Sequence, residues 1–212
     1  MVQNNEANIW KASNDKQDRG VEHLDGFSNY SSLPLFLGNY IEVGSGPFTQ
    51  TQFIIERKFD KISLLEPGAE TYMKKVKNCN YKNGHLFGKK VRILAHGAER
   101  LNADKYFGNY DTLLAINVIE HVWDAYKYLQ NLYDSLKTGG VLIFHERFYP
   151  YPAYGDCVLG KGSSLHPIRL TKHVVQHFLN KFKSIYLFEG QTKDQIQRKC
   201  GEVEFYFIGK KI

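Results

Sequence analysis

The sequence predicts an α/β fold built on a parallel sheet, and three observations predict it. Tyr40 to Thr49 reads as a strand that breaks at Gly44 and Gly46 into a tight turn, with Pro47 suited to open a helix. Lys61 to Leu65 reads as a second buried strand that ends in Glu66, 20 residues beyond Gly46. Two further apolar runs, Tyr110 to Val118 and Val141 to Phe144, flank a segment with helical periodicity. Strands alternating with helices need crossover connections, which favours a parallel sheet with helices on its faces.

In chain order, residues 1–20 are polar around a lone Trp10 and read as a loosely ordered lead-in. Val21 to Leu37 carries His23, Phe27, Tyr30, Leu33, Leu35 and Phe36, and predicts a helix or loop covering the first strand. After the glycine turn, Phe48, Phe53, Ile54 and Ile55 give a helix its apolar face, and Arg57-Lys58 suits the negative end of its dipole. Glu70 to Val76 is the helix after strand two, and Asn78 to Lys90, rich in Asn, Lys and Gly, reads as a loop. Val91 to Ala95 is a short third strand. Trp123 to Leu136 is helical, with Tyr126, Leu129, Leu132, Tyr133 and Leu136 suitably spaced, and it closes on Gly139-Gly140 before strand five. Phe148 to Leu165 has no periodicity and holds Tyr149, Tyr151 and Tyr154; a long irregular loop in a compact domain is usually functional. A helix over 171–180 then precedes two runs, Ser184 to Phe188 and Glu202 to Ile208, that read as an antiparallel pair.

Composition narrows the class. A chain of 212 residues with 42% hydrophobic and 24% charged residues suits one soluble domain with a sizeable core. No apolar run approaches the roughly 20 residues of a membrane span, and the N-terminus lacks the pattern of a secretory signal, which together predict a cytoplasmic protein. Cys79, Cys157 and Cys200 are odd in number and scattered, so neither a disulfide framework nor a metal-ligand spacing is indicated. The net charge of +6 concentrates in Lys74, Lys75, Lys77, Lys82, Lys89, Lys90 and Arg92. Only Tyr81 and Phe87 interleave with them, so the stacking platform expected for single-stranded nucleic acid is thin.

The glycine turn carries the chemistry. Without a Cβ at Gly44 and Gly46 the backbone can bend sharply and approach a ligand closely. A dinucleotide fingerprint needs a third glycine at position 49, which is Thr, and a phosphate-gripping Gly-Lys-Ser/Thr is absent. Glu42 before the glycines suits a ligand with positive charge, and Glu66 is placed to accept both hydroxyls of a ribose.

These motifs, in this order, resemble the class I S-adenosylmethionine-dependent methyltransferases, most of all the branch that includes the ubiquinone-biosynthesis O-methyltransferases. The resemblance covers residues 37–147 well and the rest loosely. It implies a Rossmann-like seven-stranded, mostly parallel sheet whose last strand is antiparallel. It also implies S-adenosyl-L-methionine as cofactor and S-adenosyl-L-homocysteine as product. Residue by residue, it places Glu42 near the cofactor's amino group and Gly44, Ser45 and Gly46 against its amino-acid portion. Glu66 and Pro67 then take the ribose, Gly97, Ala98 and Glu99 the adenine, and Asn117 and Val118 the face of the cofactor. Relatives carry an Asp where Gly97 stands, so Glu99 or the Ala98 N–H has to read the ring here. One domain over 1–212 follows, with 1–36 a lid, 37–147 the cofactor core and 148–212 the substrate loop and closing strands.

Catalytic candidates are His145 and His166, placed ahead of His121 because strand ends and loops face a ligand whereas His121 sits at a helix start. Arg147, Arg169, Tyr149 and Tyr151 are candidates for substrate binding. A second resemblance, to small-RNA 2′-O-methyltransferases with a Glu-x-x-Glu-His metal site, breaks at its first carboxylate, which is Asn117 here. No metal is therefore predicted. The predicted acceptor is a small molecule or sugar, methylated at oxygen, by a monomer or homodimer. An RNA 2′-O-methyltransferase and a non-catalytic cofactor-binding subunit are the alternatives.

Overall fold

The structure, a computed structural model, describes residues 20–148, 168, 171–190 and 203–212. A short helix α1 (Gly20–Gly26) precedes β1 (Phe36–Val43) and β2 (Lys58–Leu65). Helix α2 (Ala69–Lys75) leads to a small hairpin, β3 (His85–Leu86) with β4 (Lys89–Lys90), then β5 (Arg92–Leu94) and β6 (Tyr110–Ile116). Helix α3 (Ala125–Ser135), β7 (Leu136–Phe148), helix α4 (Lys172–Leu179), β8 (Phe182–Gly190) and β9 (Val203–Lys211) complete the described chain.

The main sheet has seven strands in the order β5-β2-β1-β6-β7-β9-β8. β1 pairs in parallel with β2 and β6, β2 with β5, and β6 with β7, while β9 runs antiparallel between β7 and β8. This is the Rossmann-like, seven-stranded, mostly parallel sheet expected, with its antiparallel final strand. The central strands are buried on both sides, which explains their near-continuous apolar runs. Alternation sends Ile41, Val43, Leu113, Ala115, Leu142 and Phe144 to one core, under Tyr128 and Leu132 of α3 and Phe178 of α4. Leu37, Tyr40, Leu114, Ile116 and Ile143 enter the other, with Phe27, Tyr30, Ile54 and Tyr72. Each such fully buried apolar side chain contributes about 1.5–3 kcal/mol relative to exposure, so both layers are needed. Among the described residues no helix is long and apolar enough to cross a membrane.

Three expectations change. The helix after the glycine turn is only a 3-10 helix, Gln50–Ile54, capped by Thr49 rather than opened by Pro47, and Lys58 already begins β2. The acceptor that fixes this start is the Glu42 carboxylate, which draws the Gln50 and Thr51 amides inward. The loop over 78–90 contains the β3–β4 hairpin. Strand five begins at Leu136, directly after α3, and carries Gly139 (φ +76°) within it as part of an irregular pairing with β6.

Candidate active site at the carboxyl ends of the strands

The strand ladders run one residue past β1, β2 and β6, which sets Gly44, Glu66 and Asn117 at one level. Gly44 N donates to Leu65 O (2.8 Å), Glu66 N to Leu94 O (2.9 Å) and Asn117 N to His145 O (2.9 Å). Ligands of open α/β sheets bind at this edge.

Gly44 and Gly46 both have left-handed φ, +73° and +54°. A Cβ on Gly44 would stand 2.5 Å from Val118 Cγ2, whereas one on Gly46 meets nothing within 4 Å. Gly44 thus serves packing, and Gly46 faces open space. The segment after α2 braces the turn: Tyr81 donates its hydroxyl to Gly46 O (2.7 Å), Asn80 N donates to Pro47 O (3.1 Å), and Asn80 Oδ1 accepts from Thr49 N (3.2 Å). Ser45 is buried beside it. Gly44→Ala is expected to destabilise by about 2–4 kcal/mol, combining left-handed strain with the clash against Val118. Gly46→Ala bears only the backbone strain, about 1–2 kcal/mol, yet should weaken S-adenosylhomocysteine binding. Urea denaturation beside calorimetry on both variants checks the contrast.

Glu42 is buried, and its carboxylate accepts from Gln50 N (2.8 Å), Thr51 N (3.0 Å), Thr51 Oγ1 (2.5 Å) and the Thr49 hydroxyl. Burial pushes its carboxyl up, and those four hydrogen bonds pull it part of the way back. Both oxygens are engaged by the 49–51 turn, so Glu42 meets a ligand's amino group only by exchanging a bond or through its charge.

Glu66 bridges two turns: Oε2 accepts from Gly46 N (3.0 Å) and Oε1 from Gly68 N (2.7 Å). An ionised carboxylate has about four acceptor positions, so binding two backbone amides does not by itself exhaust it. Pro67 follows, half-buried. After β5, Gly97 leads into a 3-10 helix from Ala98, whose carbonyl accepts from Asn131 Nδ2 (2.9 Å). Glu99 Oε1 accepts from Trp123 N (2.7 Å), tying this segment to the entry of α3. Trp123 and Tyr126 are largely exposed there.

Beyond β6, Asn117 takes φ +55°, a left-handed conformation that Asn tolerates. Its Nδ2 donates to Glu120 Oε1 (3.1 Å), and its buried Oδ1 has no hydrogen-bond partner among the described residues. His121 Nε2 lies 3.8 Å from Glu120 Oε1, and the His121 side chain is 28% exposed.

His145 departs from the expectation that strand ends face the ligand. It is 0% exposed, packed with ring centroids 4.4 Å from both His23 of α1 and Tyr206 of β9. Burial lowers its pKa, opposed by the Glu204 carboxylate 3.8 Å away. Of the two, His121 is the more exposed. Arg147 is engaged too, with Nε donating to Glu204 Oε1 (3.2 Å), while Tyr206 donates its hydroxyl to Oε2 (2.7 Å). Burial alone would raise the Glu204 carboxyl, yet these groups and His145 hold it below its usual range. His166, Arg169, Tyr149 and Tyr151 lie outside the described residues, as does Tyr154. Among the described residues, no three His, Cys, Asp or Glu side chains gather as a metal site.

Several partners were not legible beforehand. Tyr81 and Asn80 sit in a segment whose composition indicates only a loop. His23 and Glu204 become neighbours of His145 only through tertiary packing.

Residues 41–144 match the family described as a methyltransferase domain, from β1 into β7. No curated protein sequence matches the chain. Solved structures share its fold. A Listeria monocytogenes protein assigned as an S-adenosylmethionine-dependent methyltransferase matches at TM-score 0.63 and 14% identity, over 92% of this chain and 100% of that one. The N-methyltransferase NodS from Bradyrhizobium japonicum WM9 matches at 0.58 and 11%, over 89% and 96%. Geranyl diphosphate C-methyltransferase from Streptomyces coelicolor A3(2), solved with Mg²⁺, geranyl diphosphate and S-adenosyl-L-homocysteine, matches at 0.63 and 8%, over 92% and 79%. Over residues 41–144, just under half of the chain, the match is to a methyltransferase domain, and identities of 8–14% show a shared fold. The open space at Gly46, the Glu66 carboxylate beside it and the Asn117 Oδ1, without a hydrogen-bond partner among the described residues, lie at this edge of the sheet.

Proposed function

We propose that the chain methylates a hydroxyl of a small molecule or sugar, in the manner of the O-methyltransferase branch it resembles. The observation that carries this is the Glu120–His121 pair on the Asn117 turn. It presents a partly exposed imidazole beside a carboxylate at the edge where the cofactor turn lies. A hydroxyl is a weak nucleophile until its proton is accepted, and an imidazole is suited to that near neutrality. S-adenosylmethionine supplies the methyl from a sulfonium, so the protein's work is alignment and proton removal. Gly44 to Gly46 would hold the amino-acid portion, with the buried Glu42 charge behind it. Glu66 and Pro67 would take the ribose, the 97–99 segment the adenine, and Asn117 and Val118 would border the transferring methyl. His121 would accept the proton, with Glu120 orienting the ring. His145 would shape the acceptor pocket from beneath α1, and residues 148–170, with His166, Arg169, Tyr149 and Tyr151, would complete it.

The experiment is methyl transfer from carbon-13-labelled S-adenosylmethionine to a fractionated metabolite extract. The carbon shift of the product separates methoxy from N-methyl and C-methyl. A methoxy product supports the reading, and an N- or C-methyl product overturns it. Turnover is expected to survive EDTA, because Asn117 stands where a metal site would need a carboxylate. Activity that disappears with EDTA and returns with Mn²⁺ or Mg²⁺ contradicts this.

A further inference from the structure

Glu146 lies on the face of β7 opposite His145 and has no part in the site described above. It is 1% exposed, and its Oε1 accepts from both Val118 N and Ile119 N, each at 2.8 Å. Those consecutive N–H groups open the 3-10 turn Ile119–His121, whose own N-cap residue, Val118, offers no side-chain bond. Exposed N–H groups at a helical start require an acceptor, and here the neighbouring strand provides it. The captured turn is also the one that fills the space under the glycine turn, since Val118 Cγ2 leaves no room for a Cβ on Gly44.

We propose that Glu146 is a positioning residue for the cofactor: its carboxylate clamps the Asn117–His121 turn against Gly44, and the clamp holds best when ionised. This rests on the reading that Gly44 to Gly46 and Asn117 border the cofactor. The groups around Glu146 make the clamp costly. Burial pushes its carboxyl up to about 8, helped by the Glu120 charge and opposed by the two amides and His121. Tyr128 of α3 packs in the same layer, its hydroxyl buried without a hydrogen-bond partner among the described residues and its own pKa raised by burial and then by the Glu146 charge. The sign follows from linkage. A carboxyl raised on folding contributes stability below its ordinary range, and that stability is lost as pH rises through about 8. Above that pH the fold therefore retains a buried negative charge at a cost in stability. What the charge gives in return is stronger bonding to two backbone N–H groups, because charge-assisted hydrogen bonds exceed neutral ones. Stability and cofactor affinity should then change in opposite directions at this one residue.

Glu146→Gln, which keeps a neutral carbonyl acceptor, tests this in the full chain with S-adenosylhomocysteine as the probe. At about pH 9 the variant should melt higher than wild type yet bind roughly tenfold more weakly, and at about pH 6.5 the two should bind alike. Wild type should also release more protons than the variant on binding near pH 8, read by calorimetry in buffers of differing ionisation enthalpy. The ligand's own titration is common to both proteins and cancels. Equal affinities at high pH, or a variant that loses stability and affinity together at every pH, overturns the proposal. If the variant fails to fold, wild-type binding without proton release near pH 8 overturns it. Wild type that binds no S-adenosylhomocysteine refutes the cofactor placement instead.

Discussion

Glu66→Ala is expected to weaken S-adenosylhomocysteine binding by roughly 5- to 150-fold, the equivalent of about 1–3 kcal/mol for polar groups left without an acceptor. The loss has two sources at one carboxylate. The ribose hydroxyls lose their acceptor, and the Gly46 and Gly68 amides, now bonded at 3.0 and 2.7 Å, lose theirs. The glycine turn then relaxes away from the end of β2. Glu66→Gln divides the two contributions: its carbonyl still serves one amide, whereas its amide group can only donate to a hydroxyl. Calorimetry on all three proteins is decisive. An alanine variant that binds as tightly as wild type shows that the ribose does not rest on Glu66.

His121→Ala is expected to lower kcat by about 10²–10⁴-fold with cofactor affinity unchanged, the range for loss of a general base. The same change at His145 should act differently. That ring fills a fully buried site between His23 and Tyr206, so its removal leaves a cavity under α1 and lowers the melting temperature first. Kinetics at saturating cofactor, paired with thermal melts, separate the two residues. A selective kcat loss in His145→Ala together with a silent His121→Ala would reverse the assignment.

Much of the fold was legible because its signals are local. Glycines at 44 and 46 after an apolar strand, an acid closing each of the first two strands, and buried runs at 113–116 and 141–144 each follow from nearby residues alone. The sheet order then needs little more than right-handed crossovers. Local signals failed where a distant partner decides the outcome. Glu42 reads as an acid waiting for a cation, yet most of its hydrogen bonding goes to Thr49, Gln50 and Thr51, and this shortens the expected helix to one 3-10 segment. His145 and His121 were ordered by position along the chain. Their exposure depends instead on α1, which covers β7, and on a turn that Glu146 holds from the next strand. Glu146 itself is one acid in an apolar strand, and periodicity assigns it a face without naming what it meets there.

The carboxyl ends of β1, β2 and β6 are expected to hold the cofactor. Backbone amide resonances of nitrogen-15-labelled protein, titrated with S-adenosylhomocysteine, test this most directly. Shifts are expected at Gly44 to Gly46, Glu66 to Gly68, Ala98 and Asn117. The opposite end of the sheet, marked by Lys61 and by Tyr106 ahead of β6, should stay still. Saturable shifts confined to that opposite end, or none at any concentration, would contradict it.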